Sequence, residues 1–104
     1  MPETYVITFH VKEDQVARFH ALLGPVLDAM RDEATFVHAA LHVDPDRSDV
    51  FQLHETWIDR SDVLNVQLQR PYRREWHAAL DDVLASPRHI AIWRLLRSDA
   101  RPQA

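Results

Sequence analysis

Cysteine is absent from the 104 residues. That single absence removes disulfides, thiolate nucleophiles, iron–sulfur clusters and cysteine-rich zinc sites together, and it fits a reducing compartment. Glycine occurs once, at Gly24, which leaves no glycine-rich loop to cradle a nucleotide phosphate. No apolar run approaches the roughly 18 residues of a membrane span. The opening MPETYVITFHV is polar before its first alternation rather than signal-like, so no membrane is expected and the expected location is cytoplasmic. Positive charge is not in excess either: the formal net charge is −4 with scattered arginines, a poor field for phosphate backbones and hence for nucleic acid.

What is present suits one folded domain. A hydrophobic content of 46% with 27% charged residues is ordinary for a chain with a real core. Residues 5–11 alternate, with Tyr5, Ile7, Phe9 and Val11 on one side and Val6, Thr8 and His10 on the other, which predicts a strand. Val16, Phe19, Leu23, Val26, Leu27 and Met30 then recur at helical spacing after Asp14, a candidate cap. Gly24-Pro25 inside that stripe predicts a kink or two abutting helices, since proline removes a ladder bond. Residues 36–43 and 50–57 alternate again around the turn DPDRSD, an antiparallel hairpin. Asp59 or Ser61 should cap a short helix to about residue 69, Pro71 suits the first turn of another reaching about 85, and Pro87 ends it. Residues 90–96 read as a last strand and 97–104 as a frayed tail, so the domain is expected to span 1–96.

The order β-α-β-β-α-β is the split βαβ arrangement of ferredoxin-like α+β folds with an antiparallel sheet. Two helices cover one sheet face. The other, carrying Val6 and His10 among others, is too apolar in total to stand in water, and a homodimer through that face is the simplest cover.

Seven histidines are the compositional oddity. His38 and His42 have helical ligand spacing but sit on a strand, where four residues span roughly 13 Å, so they cannot share a zinc. His54-Glu55 begins like H-E-x-x-H, but Ile58 stands where the second histidine belongs. Asp44, Asp46, Ser48 and Glu55 imitate a calcium loop, yet Asp49 replaces its glycine and strands flank it. No metal is expected. The hairpin register stays open: one pairing sets His38 and His42 beside His54 and Gln52, and a one-residue slip sets them beside Glu55 and Trp57.

Phe51, Leu53, Glu55 and Trp57 form the strand pattern F-x-L-x-E-x-W, followed by Leu64, Gln67, Leu68 and Pro71. The chain thereby resembles the antibiotic biosynthesis monooxygenases and their quinol monooxygenase relatives. Gln67 occupies that family's helix-histidine position and Tyr72 the histidine after the proline. The resemblance implies a dimeric α+β barrel that oxygenates a small aromatic molecule, a phenol or quinol, with dioxygen and without metal, flavin or other cofactor. On this reading His38, His54 and His77 are candidate catalytic bases, Gln67 and Tyr72 orient the substrate, and Trp57 and Trp76 wall the pocket. Two other readings stand beside it: a non-catalytic dimeric barrel that binds a small apolar ligand, and a haem-binding or haem-degrading relative using His77, with Ile7 and Gln67 at the accompanying positions.

Overall fold

The structure is a computed structural model that describes residues 2–102. Strand β1 (Glu3–His10) leads through a 3₁₀ turn (Glu13–Gln15) into helix α1 (Val16–Met30). Strands β2 (Phe36–Val43) and β3 (Val50–Trp57) form the hairpin. Helix α2 (Arg60–Asn65) is followed by two 3₁₀ turns (Gln67–Gln69 and Pro71–Arg73), helix α3 (Arg74–Val83) and strand β4 (His89–Arg94). Asp59 caps α2 by accepting from Ser61 N at 2.9 Å and Asp62 N at 3.4 Å. Asp14 makes no cap; it lies inside the 3₁₀ turn, with no side-chain bond at that end. Pro25 sits inside a single helical span rather than between two helices. It lacks an N–H for one rung of the ladder, and the buried stripe Phe19, Leu23, Val26 and Met30 holds the helix on the sheet.

All strand pairs are antiparallel, in the order β2-β3-β1-β4, the ferredoxin-like arrangement read from the sequence. The expected closure into a barrel is not found. The sheet is open, with β2 and β4 as its two edges held apart by β3 and β1, so no strand pairing joins one edge to the other. The hairpin register resolves to His38 opposite Thr56, Ala40 opposite His54 and His42 opposite Gln52, with an irregularity between Phe36 and His38. Because side chains alternate along a strand, this puts the three histidines on the face away from the helices and sends Glu55 toward them.

The core lies between the sheet and helices α1 and α3. Phe19 stacks on Phe51 at 4.7 Å and meets Phe9 and Trp76 edge-on at 5.2 and 5.7 Å, contacts that contribute beyond their buried area. Lys12 N donates to Val83 O and Ala85 N to His10 O, tying the end of α3 to the end of β1. No helix among the described residues is long and apolar enough to cross a membrane. Residues 97–102 are exposed and without regular structure; 103 and 104, the end of the expected tail, lie outside the described residues.

Candidate functional site

A cavity of about 170 Å³ opens between the helices and the sheet. Its floor is the inward side of β1 and β3, where alternation aims Tyr5, Ile7, Leu53 and Glu55 at the helices. Val26 and Met30 of α1 and Trp76 and His77 of α3 form walls, and Leu64, Leu68, Ile90 and Ile92 form a partly exposed apolar rim. Into this greasy space the fold sets four polar groups besides Tyr5: Glu55, Arg73, His77 and Arg88.

Glu55 is 6% exposed. Trp57, two residues along the same strand and therefore on the same face, donates from Nε1 to Glu55 Oε1 at 3.1 Å. Burial pushes the Glu55 carboxyl above the usual carboxylate range, while Arg73, the Trp57 bond and Arg88 pull it back. Arg73 is 5% exposed, its guanidinium lying 6.0 Å from the Trp57 ring and 5.6 Å from the Tyr72 ring. Among the described residues Arg73 Nε and Nη2, His77 Nε2 and the Tyr5 hydroxyl are buried without a hydrogen-bond partner. Native interiors seldom leave such groups unpaired. Burial first, then Arg88 and Arg73, lowers the His77 pKa, so its imidazole is held neutral. Burial also lowers that of Arg88. Two guanidiniums face one carboxylate, and neither is ion-paired among the described residues. The cavity therefore carries surplus positive charge in a low-dielectric setting.

The residues singled out from sequence fall into three places. Trp76 and His77 line the cavity, and Trp57 is buried beneath it as the donor to Glu55. His38 and His54 are on the opposite sheet face; His54 Nε2 lies 2.7 Å from Gln52 Oε1 and its ring 5.3 Å from that of His42. The slipped register that would join a histidine to Glu55 is not adopted. Gln67 and Tyr72 belong to a polar network beside the cavity. Gln67 Nε2 donates to Asp62 Oδ2 at 3.0 Å and Glu33 Oε2 at 3.3 Å, and Tyr72 donates to Glu33 Oε1 at 3.3 Å. Arg70 Nε completes it 3.1 Å from Glu33 Oε1. The network pins the segment after α2 to the end of α1, and neither Gln67 nor Tyr72 borders the cavity. Among the described residues no group of three histidine, cysteine or acidic side chains could hold a metal ion.

Sequence reasoning passed over Tyr5, Arg73 and Arg88. Arg73 had a signal, because it stands three positions before Trp76 and helical spacing puts both on one face. Glu55 had another, an acid in the inward phase of an otherwise apolar strand. Arg88 follows a proline in a connecting turn and carries no pattern.

Comparison with known proteins bears on the same segments. Residues 4–79, from β1 into α3, match the profile of the family described as Antibiotic biosynthesis monooxygenase. The chain is 26% identical over 88 residues to "Putative monooxygenase GME11364" of Pestalotiopsis microspora, covering 84% of this chain and 73% of that one. It is 28% identical over 85 residues to the uncharacterized protein sll1783 of Synechocystis, where the match takes in 82% of this chain but 57% of the relative's length. In fold it is similar to Rv0793 from Mycobacterium tuberculosis, with a TM-score of 0.85 at 19% identity over 96% of this chain and 100% of that one. It is similar also to SnoaB, a cofactor-independent oxygenase from Streptomyces nogalater, with a TM-score of 0.78 at 18% identity over 93% and 95%. Those two likenesses speak for the fold; the profile match, which takes in the strand bearing Glu55 and Trp57 and the segment bearing Arg73 and Trp76, speaks for descent. The chain belongs to the antibiotic biosynthesis monooxygenase family.

Proposed function

We propose that the protein is a cofactor-independent monooxygenase that binds an aromatic phenol or quinol in the cavity beside Glu55 and oxygenates it with dioxygen. The observation that carries this reading is a mostly apolar cavity with surplus positive charge and unpartnered polar atoms on Arg73, His77 and Tyr5. A phenolic ring fills the apolar part. His77, neutral and with Nε2 unpartnered, takes the hydroxyl proton, and Arg73 and Arg88 stabilise the oxyanion that forms. The electron-rich anion is then the reductant for dioxygen. For a quinol the balance closes with no other reagent: quinol and dioxygen give a hydroxyquinone and water, one oxygen atom entering the ring and the other leaving as water. Glu55, its carboxyl raised above the usual range by burial, and Trp76 shape the site. A haem macrocycle does not fit a cavity of about 170 Å³, well below the roughly 300 Å³ at which pockets for drug-sized ligands begin.

A second reading, a binding protein without turnover, draws on Gln67 and Tyr72, which are engaged with Glu33 rather than with the cavity. Oxygen uptake separates the two. Folded protein incubated with a panel of quinols and anthrones, with and without air, should consume oxygen above the spontaneous rate; uptake no faster than the protein-free control for every compound would leave only binding.

Assembly and location belong to the same proposal. The open sheet face presents Trp93, 64% exposed, beside Val6 and Ala91, and a second copy is its natural cover. Sedimentation at micromolar concentration should give about twice the 12.2 kDa chain mass; a clean monomer would remove the dimer. We place the protein in the cytoplasm, where a chain without cysteine loses nothing.

A further inference from the structure

We propose that the cavity is built for a one-ring aromatic acid, its carboxylate held by Arg73 with Arg88 nearby. This rests on reading the cavity as the substrate site and narrows the substrate class of that site. Two features of the geometry lead to it, one of charge and one of size.

The charge is unbalanced in a particular way. Arg73 is almost fully buried, yet two of its donors, Nε and Nη2, have no partner among the described residues. Those two nitrogens are the side-on fork of the guanidinium, the edge that grips both oxygens of a carboxylate at once. A buried cation left without an anion is costly. Glu55 does not supply the missing pair, since it makes no ion pair with Arg73 and is occupied by the Trp57 indole. Trp57 and Tyr72 flank the guanidinium with their rings, which limits its freedom to swing out and find water. The half-buried Arg88 adds a second positive charge on the same cavity. A neutral phenol leaves this surplus uncompensated until it ionises, whereas an acid neutralises it on arrival.

The size sets the ring count. An apolar cavity of about 150 Å³ admits a benzene molecule, and this one measures about 170 Å³. One ring with small substituents fills it, and a fused second ring would have to protrude past Leu64, Leu68, Ile90 and Ile92, which form the rim.

Calorimetric titration of the 104-residue chain tests the proposal with named probes: benzoate, a dihydroxybenzoate with para hydroxyls, hydroquinone, benzamide and naphthoate. The two single-ring acids should bind, with benzamide and hydroquinone weaker by about tenfold or more, because a site built around an anion rejects its neutral isostere. Naphthoate should bind less well than benzoate. Arg73→Met should abolish the preference for acid over amide, Arg88→Met should reduce it, and Arg73→Lys should restore it in part, so the outcome does not depend on one variant folding. Equal binding of benzoate and benzamide, tighter binding of naphthoate than benzoate, or a preference that survives Arg73→Met would each overturn the proposal. Oxygen uptake is read in parallel. Uptake with neutral quinols that the acids neither join nor inhibit sinks the acid and spares the monooxygenase; tight acid binding with no uptake for any compound does the reverse.

Discussion

Arg73→Met should make the ligand-free protein more stable while destroying its binding of aromatic acids. In the structure the guanidinium is 5% exposed and leaves Nε and Nη2 unpartnered among the described residues, and an unsatisfied buried donor costs about 1–3 kcal/mol. Against this, the cation faces the Trp57 and Tyr72 rings at 6.0 and 5.6 Å, contacts that return about 0.5–2 kcal/mol each. Methionine keeps most of the aliphatic stem in contact with those rings, so the balance favours the variant by about 1–2 kcal/mol. Urea unfolding at pH 7 without ligand reads this directly. With a slope of about 1–2 kcal/mol per molar for a domain of this size, the midpoint should rise by roughly 1 M, and benzoate should no longer raise it further. A midpoint lowered by a similar amount, with benzoate still protective, would show that Arg73 serves to hold Glu55 in place and would refute the reasoning. A stabilised but empty site is what is expected where a binding group is kept at the expense of stability.

Glu55→Gln keeps the acceptor for Trp57 Nε1 and removes the charge. Burial raises the Glu55 carboxyl in the folded state, so its favourable contribution is full below the usual carboxylate value of 4.5 and is lost as pH rises through the raised one; the variant should gain on the native protein as pH rises above 4.5, and parallel unfolding midpoints on either side of that value would contradict the burial argument. His77→Gln should lower oxygen uptake by about a hundredfold with little change in stability, the usual loss for a positioned proton acceptor. Since burial and the two arginines lower the His77 pKa, the native rate should fall off in acid only below the ordinary histidine value of 6.5, and a fall-off above that value would assign the base elsewhere. Tyr72→Phe and Gln67→Ala should each cost about 1 kcal/mol of stability by opening the Glu33 network and leave benzoate affinity unchanged, which calorimetry of the folded variants would check.

The sequence by itself determined the elements. Alternation fixed β1 to β3 nearly residue for residue, the helical stripe from Phe19 to Met30 fixed α1, and Asp59 and Pro71 marked the starts that follow, because these signals are local and the backbone answers them locally. Where local signals conflicted, packing decided: Gly24-Pro25 argued for a break, but burial of Leu23 and Val26 on either side keeps one helix. The family pattern of Phe51, Leu53, Glu55 and Trp57 was equally legible, since four residues at period two need no third dimension to be seen. Only the tertiary structure decided the site. The register of the hairpin, which turns on a one-residue choice that pattern leaves degenerate, sent His38 and His54 to the open face and Glu55 to the cavity. Gln67 and Tyr72 are polar residues on a helical segment in either account; what removes them from the cavity is Glu33, distant in sequence but held against them by the turn after α1. Arg73 and Arg88 come from separate segments, and their charge became informative only once folding had buried one, half-buried the other and set both around a single carboxylate. Charge surplus is a property of a volume, and a sequence has no volumes until it folds.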